Sequence, residues 1–121
     1  MNAATEFDLG PLTWVKGEID LALARATEAL GQHELSGEAT QLRFCRTHVH
    51  QVHGALSIVG LDGVTQVTES LEALLSALEE RRLQLTAEIV ATLTQAMADL
   101  GKYLADLVAG EPNQPLRRLP A

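Results

Sequence analysis

Apolar residues recur along this chain at steps of three and four, in four stretches separated by glycine, serine, aspartate or threonine. In "PLTWVKGEIDLALARATEALG" the stepping positions are Leu12, Val15, Ile19, Leu23, Ala26 and Leu30, the spacing that gathers side chains on one face of a helix. Pro11 suits a first helical turn and Gly31 a C-terminal cap, because one lacks a donor that would go unused and the other tolerates a left-handed backbone. Gly17, inside the same stretch, is costly in a helix and makes sense where another element or a partner comes close. A second stripe follows Ser36, a candidate N-cap, and comprises Leu42, Cys45, Val49, Val52, Leu56 and Val59, ending at Gly60. Asp62 is placed to cap a third helix with Val64, Val67, Leu71, Leu74 and Leu78 inside. Thr86 is placed to cap a fourth with Ile89, Leu93, Ala96, Leu100, Leu104 and Leu107 inside. No alternating strand pattern competes, and short connections favour antiparallel neighbours. The pattern predicts an all-α fold, an antiparallel up-down-up-down four-helix bundle.

The bundle is expected over residues 11–110, after a lead at 1–10. The closing stretch 111–121, "EPNQPLRRLPA", holds three of the four prolines and no helical period, so it reads as a linker or tail. On that reading the chain is one module of a longer protein.

Composition narrows the picture. A length of 121 residues supports one core, and 46% apolar residues with only 3% aromatic ones imply packing by aliphatic side chains. A net charge of −7 argues against nucleic acid, whose phosphates demand clustered cations. Cys45 is the only cysteine, so no internal disulfide can form, and its place on the apolar stripe predicts a buried, inert thiol. The N-terminus lacks the basic and apolar regions of a signal peptide, and no apolar run is long enough to span a membrane. A cytoplasmic setting is expected, with Trp14 and Tyr103 in the core or at its edge.

The candidate chemistry lies in "RTHVHQVHGALSIVG", residues 46–60. At about 100° per residue, His50 falls roughly 130° from the centre of the second stripe, while His48 and His53 lie about 70° from it on opposite flanks. His50 is therefore the outward histidine, and His48 is expected to bond a neighbouring helix at the bundle edge. Arg43, Arg46, Gly54 and Ser57 share the His50 face. Gly54, one turn on, leaves access to the imidazole, and Arg46 is a cation able to offset arriving negative charge. A neutral imidazole is nucleophilic near pH 7, and phosphoryl transfer requires positioning and charge stabilisation more than acid–base machinery. The alternative for three close histidines is a metal. His48 and His50 diverge by about 200° and cannot share an ion, and no carboxylate lies near His50 and His53 in sequence. No metal site and no cofactor is expected. No glycine-rich nucleotide loop is present, so a phosphoryl group has to come from outside this module.

"HQVHGALSIVG" resembles the histidine phosphotransfer (HPt) motif, His-x-x-Lys-Gly followed by small residues and a later glycine. The resemblance implies that His50 accepts phosphate, that Gly54 is the access glycine and Gly60 the later one, and that His53 stands where the family usually has lysine. It also implies a helical bundle with the histidine in mid-helix, and partners of two kinds, a response-regulator receiver domain and a histidine kinase core. Arg46, Gln51, His53, Gly54 and Ser57 would form the phosphate-supporting and docking face. "WVKGEID" together with "LRFCRTHVHQVHGAL" is similar to the N-terminal HPt-like module of CheA-like hybrid kinases of the ChpA/PilL type, which control type IV pili and twitching motility. The lysine-to-histidine departure leaves a second reading, an HPt-like docking domain that is not phosphorylated.

Overall fold

A computed structural model of the chain describes residues 10–110; the lead at 1–9 and the tail at 111–121 lie outside the described residues. Four helices follow one another, α1 (Gly10–Ser36), α2 (Ala39–Val59), α3 (Asp62–Glu79) and α4 (Ala87–Ala109), and the described residues contain no strand. Backbones pack closely between α1 and α2, α2 and α3, and α1 and α4, whereas α3 and α4 make no comparable contact. The protein is the expected all-α four-helix bundle, open along one side. No helix among the described residues is long and apolar enough to cross a membrane.

The second stripe orients α2. Leu42, Cys45, Val49, Val52 and Leu56 are all buried, and Val59 is partly buried against them. Burying each leucine or valine contributes about 1.5 to 3 kcal/mol, so rotating α2 to turn another face inward would forfeit several such terms. Burial also pushes the Cys45 thiol up to about 12, keeping it protonated and unreactive. Gly60 ends the helix with φ 89°, and the Leu61 and Gly60 N–H groups donate to the carbonyls of Leu56 and Ser57 at 3.1 Å each. These are the paired bonds of a Schellman motif, which calls for a left-handed residue at Gly60.

Three boundaries differ from expectation. Helix α1 runs through Gly31 to Ser36, and the left-handed residue is Gly37, φ 75°. A glycine ends a helix only where the backbone turns left-handed, and at position 31 nothing forces that turn. Ser36 does not cap α2: its hydroxyl donates to the Gln32 carbonyl at 2.9 Å and accepts from the Glu38 N–H at 3.2 Å, closing α1 instead. Asp62 is the first residue of α3, with Leu61 in the capping position and no side-chain cap, so its charge serves the helix dipole. Thr86 caps α4 as expected, accepting from the Ile89 N–H at 3.2 Å.

The inward stripe of α3 is also turned. Thr65, Thr68, Leu71, Leu75 and Leu78 are buried, while Val67 is exposed and Val64 and Leu74 are only partly covered. Two buried threonines are affordable because each hydroxyl donates to its own helix, Thr65 to the Asp62 carbonyl at 2.7 Å and Thr68 to the Thr65 carbonyl at 2.8 Å. The rotation, about 50° from the apolar phase of the sequence, faces Thr68 towards α2. On α4, Met97 is buried and Ala96 only partly so, a shift of one position along the same stripe.

The turn after α3 carries local strain. Arg81 has φ 62°, with Arg81 N–H donating to Leu78 and Arg82 N–H to Ala77 at 3.1 and 2.9 Å, the bonding of a Schellman motif with a non-glycine residue in its left-handed position. A side chain there costs on the order of 1 kcal/mol. Arg81→Gly is expected to raise the midpoint of thermal unfolding by a few degrees, about 4 °C for 1 kcal/mol in a domain of this size, with circular dichroism as the readout; an unchanged or lower midpoint would show that the position is not strained.

Candidate functional site

Each of the three histidines of α2 has its own hydrogen-bond partner. The His50 side chain is 70% exposed, as its position opposite the stripe requires, and its Nδ1 lies 2.8 Å from Oε2 of Glu72 on α3. A carboxylate oxygen accepts, so Nδ1 donates, and in the neutral ring Nε2 then holds the lone pair. His53, half-buried on the flank towards α3, places Nδ1 2.9 Å from Thr68 Oγ1. Because that hydroxyl spends its proton on the Thr65 carbonyl, it can only accept from His53, so Nδ1 is again the protonated nitrogen. The two rings lie 6.1 Å apart between centroids and nearly parallel, at 20°. His48 donates from Nδ1 to Gln51 Oε1 at 3.1 Å, within its own helix rather than to a neighbouring one as expected.

Glu72 is the residue that sequence reasoning missed. It stands 22 positions beyond His50, and on the apolar phase read from the sequence it points outward. With the observed phase of α3, Glu72 sits one turn after Thr68, on the flank facing α2. The threonines at 65 and 68 are the only trace of this in the sequence, and threonine is too common on exposed faces to signal it.

The cations around His50 are already engaged. Arg46 donates to Glu79 of α3 through Nε at 2.8 Å and Nη2 at 3.3 Å, and Arg43 Nε lies 3.3 Å from the same carboxylate. The hydrogen bond from Arg46 is the main reason that the Glu79 carboxyl titrates below the usual range, and the bond to Glu79 holds the Arg46 proton more firmly in turn. Gly54 lies on the His50 face as expected, but a Cβ built there meets no atom within 4 Å, His50 included. The room that glycine leaves lies in front of the helix, where a partner would stand, and is not needed for packing.

Gln51 and Ala55 border a groove between α1 and α2 whose far wall includes Leu21. Leu21 is 50% exposed, and Trp14, one heptad earlier on α1, is 86% exposed, not in or at the core as expected. Ile58, one heptad after Gln51, is 87% exposed. Residues seven apart share a helical face, so Trp14 and Leu21 lie on one exposed face of α1 and Ile58 shares the exposed Gln51 face of α2, with Ser57 exposed next to it. Among the described residues no group of three or more histidines, cysteines or carboxylates is arranged to hold a metal ion. Glu72, distant in sequence, nevertheless brings a carboxylate to the histidine face.

The model of the Hpt domain family matches residues 12–103, most of the chain. No curated protein and no solved structure matches it. The chain belongs to the Hpt domain family, whose members carry out histidine phosphotransfer in phosphorelays and interact with kinases and response regulators.

The Glu79 ion pairs are testable through pH. A carboxylate whose folded pKa is depressed adds stability that is present above the unfolded value and lost as pH falls through the folded one. Glu79→Gln is therefore expected to lower the thermal midpoint at neutral pH by an amount corresponding to about 1 kcal/mol. The difference from the wild type should shrink towards zero as the pH drops below the ordinary carboxylate range. A difference that stays constant down to acid pH would remove the charge from the explanation.

Proposed function

We propose that His50 is the phosphoryl-accepting residue and that the domain exchanges this group with the receiver domain of a response regulator. The carrying observation is the His50–Glu72 pair, an exposed imidazole whose Nδ1–H is held by a carboxylate so that Nε2 is the nucleophile. In the forward step the Nε2 lone pair attacks the phosphorus of the receiver's aspartyl phosphate. The N–P bond forms as the P–O bond breaks, and the aspartate carboxylate leaves with that electron pair. Positive charge gathers on the ring in the process, and Glu72 offsets it through Nδ1–H. The reverse step returns the group by the same path. The receiver supplies the aspartate and its magnesium ion; this domain supplies the ring and a docking face.

His53 fills the lysine's place with a shorter side chain whose Nδ1–H is tied to Thr68, leaving Nε2 as the nitrogen available to an incoming phosphoryl oxygen when protonated. Arg46 serves as a supporting cation only so far as Glu79 yields it. For docking, exposed Trp14, Leu21 and Ile58 with Gln51, Gly54 and Ser57 offer apolar surface with a polar edge, the composition of a transient protein interface. We place the domain within a cytoplasmic CheA-like sensor kinase of the ChpA/PilL type on the likeness of "WVKGEID" and "LRFCRTHVHQVHGAL", with that kinase's core as the second partner. One observation favours the alternative of a docking module without phosphorylation: both arginines of the His50 face are committed to Glu79.

Transfer from a phosphorylated receiver domain separates the two. His50→Gln is expected to abolish labelling, and Glu72→Gln to slow it about tenfold, the loss of one charge-assisted hydrogen bond of roughly 1.5 kcal/mol. Glu72→Gln transferring at the wild-type rate would remove that residue from the mechanism. At position 53, Lys should preserve or raise the rate and Leu should lower it up to about tenfold, each with the helical circular dichroism signal intact. Equal rates with His, Lys and Leu would deny His53 a supporting role. Failure of every variant, including His53→Lys, to accept phosphate from any cognate donor would leave the docking reading.

Gly54 gives a further check on access. Because a Cβ there is unobstructed, Gly54→Ala should stabilise the fold by about 1 kcal/mol through helix propensity. Gly54→Leu should also fold, yet slow transfer from the receiver. Unchanged transfer with Leu would mean that the partner does not approach over this turn.

A further inference from the structure

Arg43 and Arg46 share Glu79 unequally. Arg46 holds both carboxylate oxygens, Nε to Oε1 at 2.8 Å and Nη2 to Oε2 at 3.3 Å, while Arg43 Nε reaches Oε2 alone at 3.3 Å. The Glu79 side chain is mostly covered, at 16% exposed, whereas those of Arg43 and Arg46 are 61% and 37% exposed. A carboxylate with so little access to water is costly to leave without a cation. With two cations on it, one can depart while the other stays.

Position decides which one departs. Arg46 stands one turn before His50 and about 40° from it around α2, a spacing at which side chains meet. Helical side chains lean towards the N-terminus, so the His50 ring leans over the turn that carries Arg46. Arg46 also feels the charge of Glu72, the carboxylate held on His50 Nδ1, which puts its guanidinium within electrostatic reach of the site. Arg43 starts about 10 Å from His50 along the helix axis, a distance at which solvent and salt screen an exposed charge.

We propose that Arg43 is a positioning residue: when His50 carries a phosphoryl group, Arg46 moves from Glu79 to the phosphoryl oxygens and Arg43 takes over Glu79. The inference rests on His50 being the phosphoryl acceptor. A phosphoryl group offers up to two negative charges and three acceptor oxygens against the single charge of Glu79, so the Arg46 guanidinium gains by the exchange. Glu79 keeps a partner throughout. The long cation that the motif places at position 53 is supplied here from the preceding turn of the same helix, and Arg43 is what releases it. Loss of the phosphoryl group returns Arg46 to Glu79.

Phosphorus NMR on the full chain tests the exchange. Phosphoramidate serves as donor, so no receiver domain is needed: His50 Nε2 forms its bond to phosphorus as ammonia leaves with the electron pair of the bond that breaks. The readout is the pH midpoint at which the phosphoryl group titrates, which contact with a guanidinium lowers. Arg46→Gln should raise that midpoint by about one pH unit, a tenfold change in proton affinity. Arg43→Gln should raise it by a similar amount, because Arg46 is then held by Glu79, whereas Arg43→Lys keeps a cation at Glu79 and should not. Glu79→Gln should leave the midpoint at or below the wild-type value, and adding Arg43→Gln to it should change nothing further. An Arg43 acting through its own charge on the phosphoryl group would instead shift the midpoint in both backgrounds. Glu72 and His53 are the same in every variant, so the differences report the arginines, and circular dichroism confirms the helices. The proposal alone is overturned if Arg43→Gln has no effect, or the same effect with and without Glu79. A wild-type spectrum lacking any signal that His50→Gln removes overturns the reading of His50 as acceptor, and this proposal with it.

Discussion

The burial of one stripe on α2 governs everything functional in this protein. Leu42, Cys45, Val49, Val52 and Leu56 are held between α1 and α3, and that choice of face leaves His50 no alternative but the surface. A rotation of α2 large enough to hide His50 would expose several aliphatic side chains at once, each worth more than a surface hydrogen bond. The histidine is thus presented by the core rather than by its own contacts, and only the direction in which the ring faces is left for local bonding to decide.

That second decision falls to α3. Its inward face carries two threonines whose hydroxyls are satisfied by backbone carbonyls of the same helix, so the helix tolerates a phase in which polar residues are buried. The same rotation has three consequences. Thr68 meets His53, Glu72 meets His50 one turn later, and Val64 and Val67 are left bordering the gap towards α4. The site and the open groove are two products of one packing solution.

Membership of the Hpt domain family fits this division of labour. A carrier of phosphoryl groups needs a nucleophile on a rigid support, a proton kept off the attacking nitrogen, and an unobstructed approach. In the function proposed above those roles fall to His50 on α2, to Glu72 at Nδ1 and to the bare turn at Gly54. What differs from the usual motif is the supporting cation. His53 is anchored to Thr68 where the motif has lysine, and Arg43 and Arg46 share the carboxylate of Glu79 while Glu72 stands at His50, so the two cations of this face are matched by two carboxylates.

The four helices, the outward placement of His50 and the left-handed stop at Gly60 were all legible in the sequence, because each depends on periodicity or on the backbone freedom of a single residue. The α2 stripe was read almost residue for residue. The end of α1 was not, since Gly31 and Gly37 are equally good caps in sequence and only the continued packing of α1 chooses between them. Nor was the exposure of Trp14, which is large and apolar but lies on the wrong side of its helix from Leu12 and Ile19. The phase of α3 is the deepest case: valines at 64 and 67 outrank threonines on any scale of hydrophobicity, yet the threonines are the buried pair. Side-chain hydroxyls that bond their own helix lose little on burial, and which face then turns inward is settled by the neighbours. Periodicity within one helix determines which residues travel together; the angle between two helices, and with it the pairing of His50 with Glu72, exists only once both are packed.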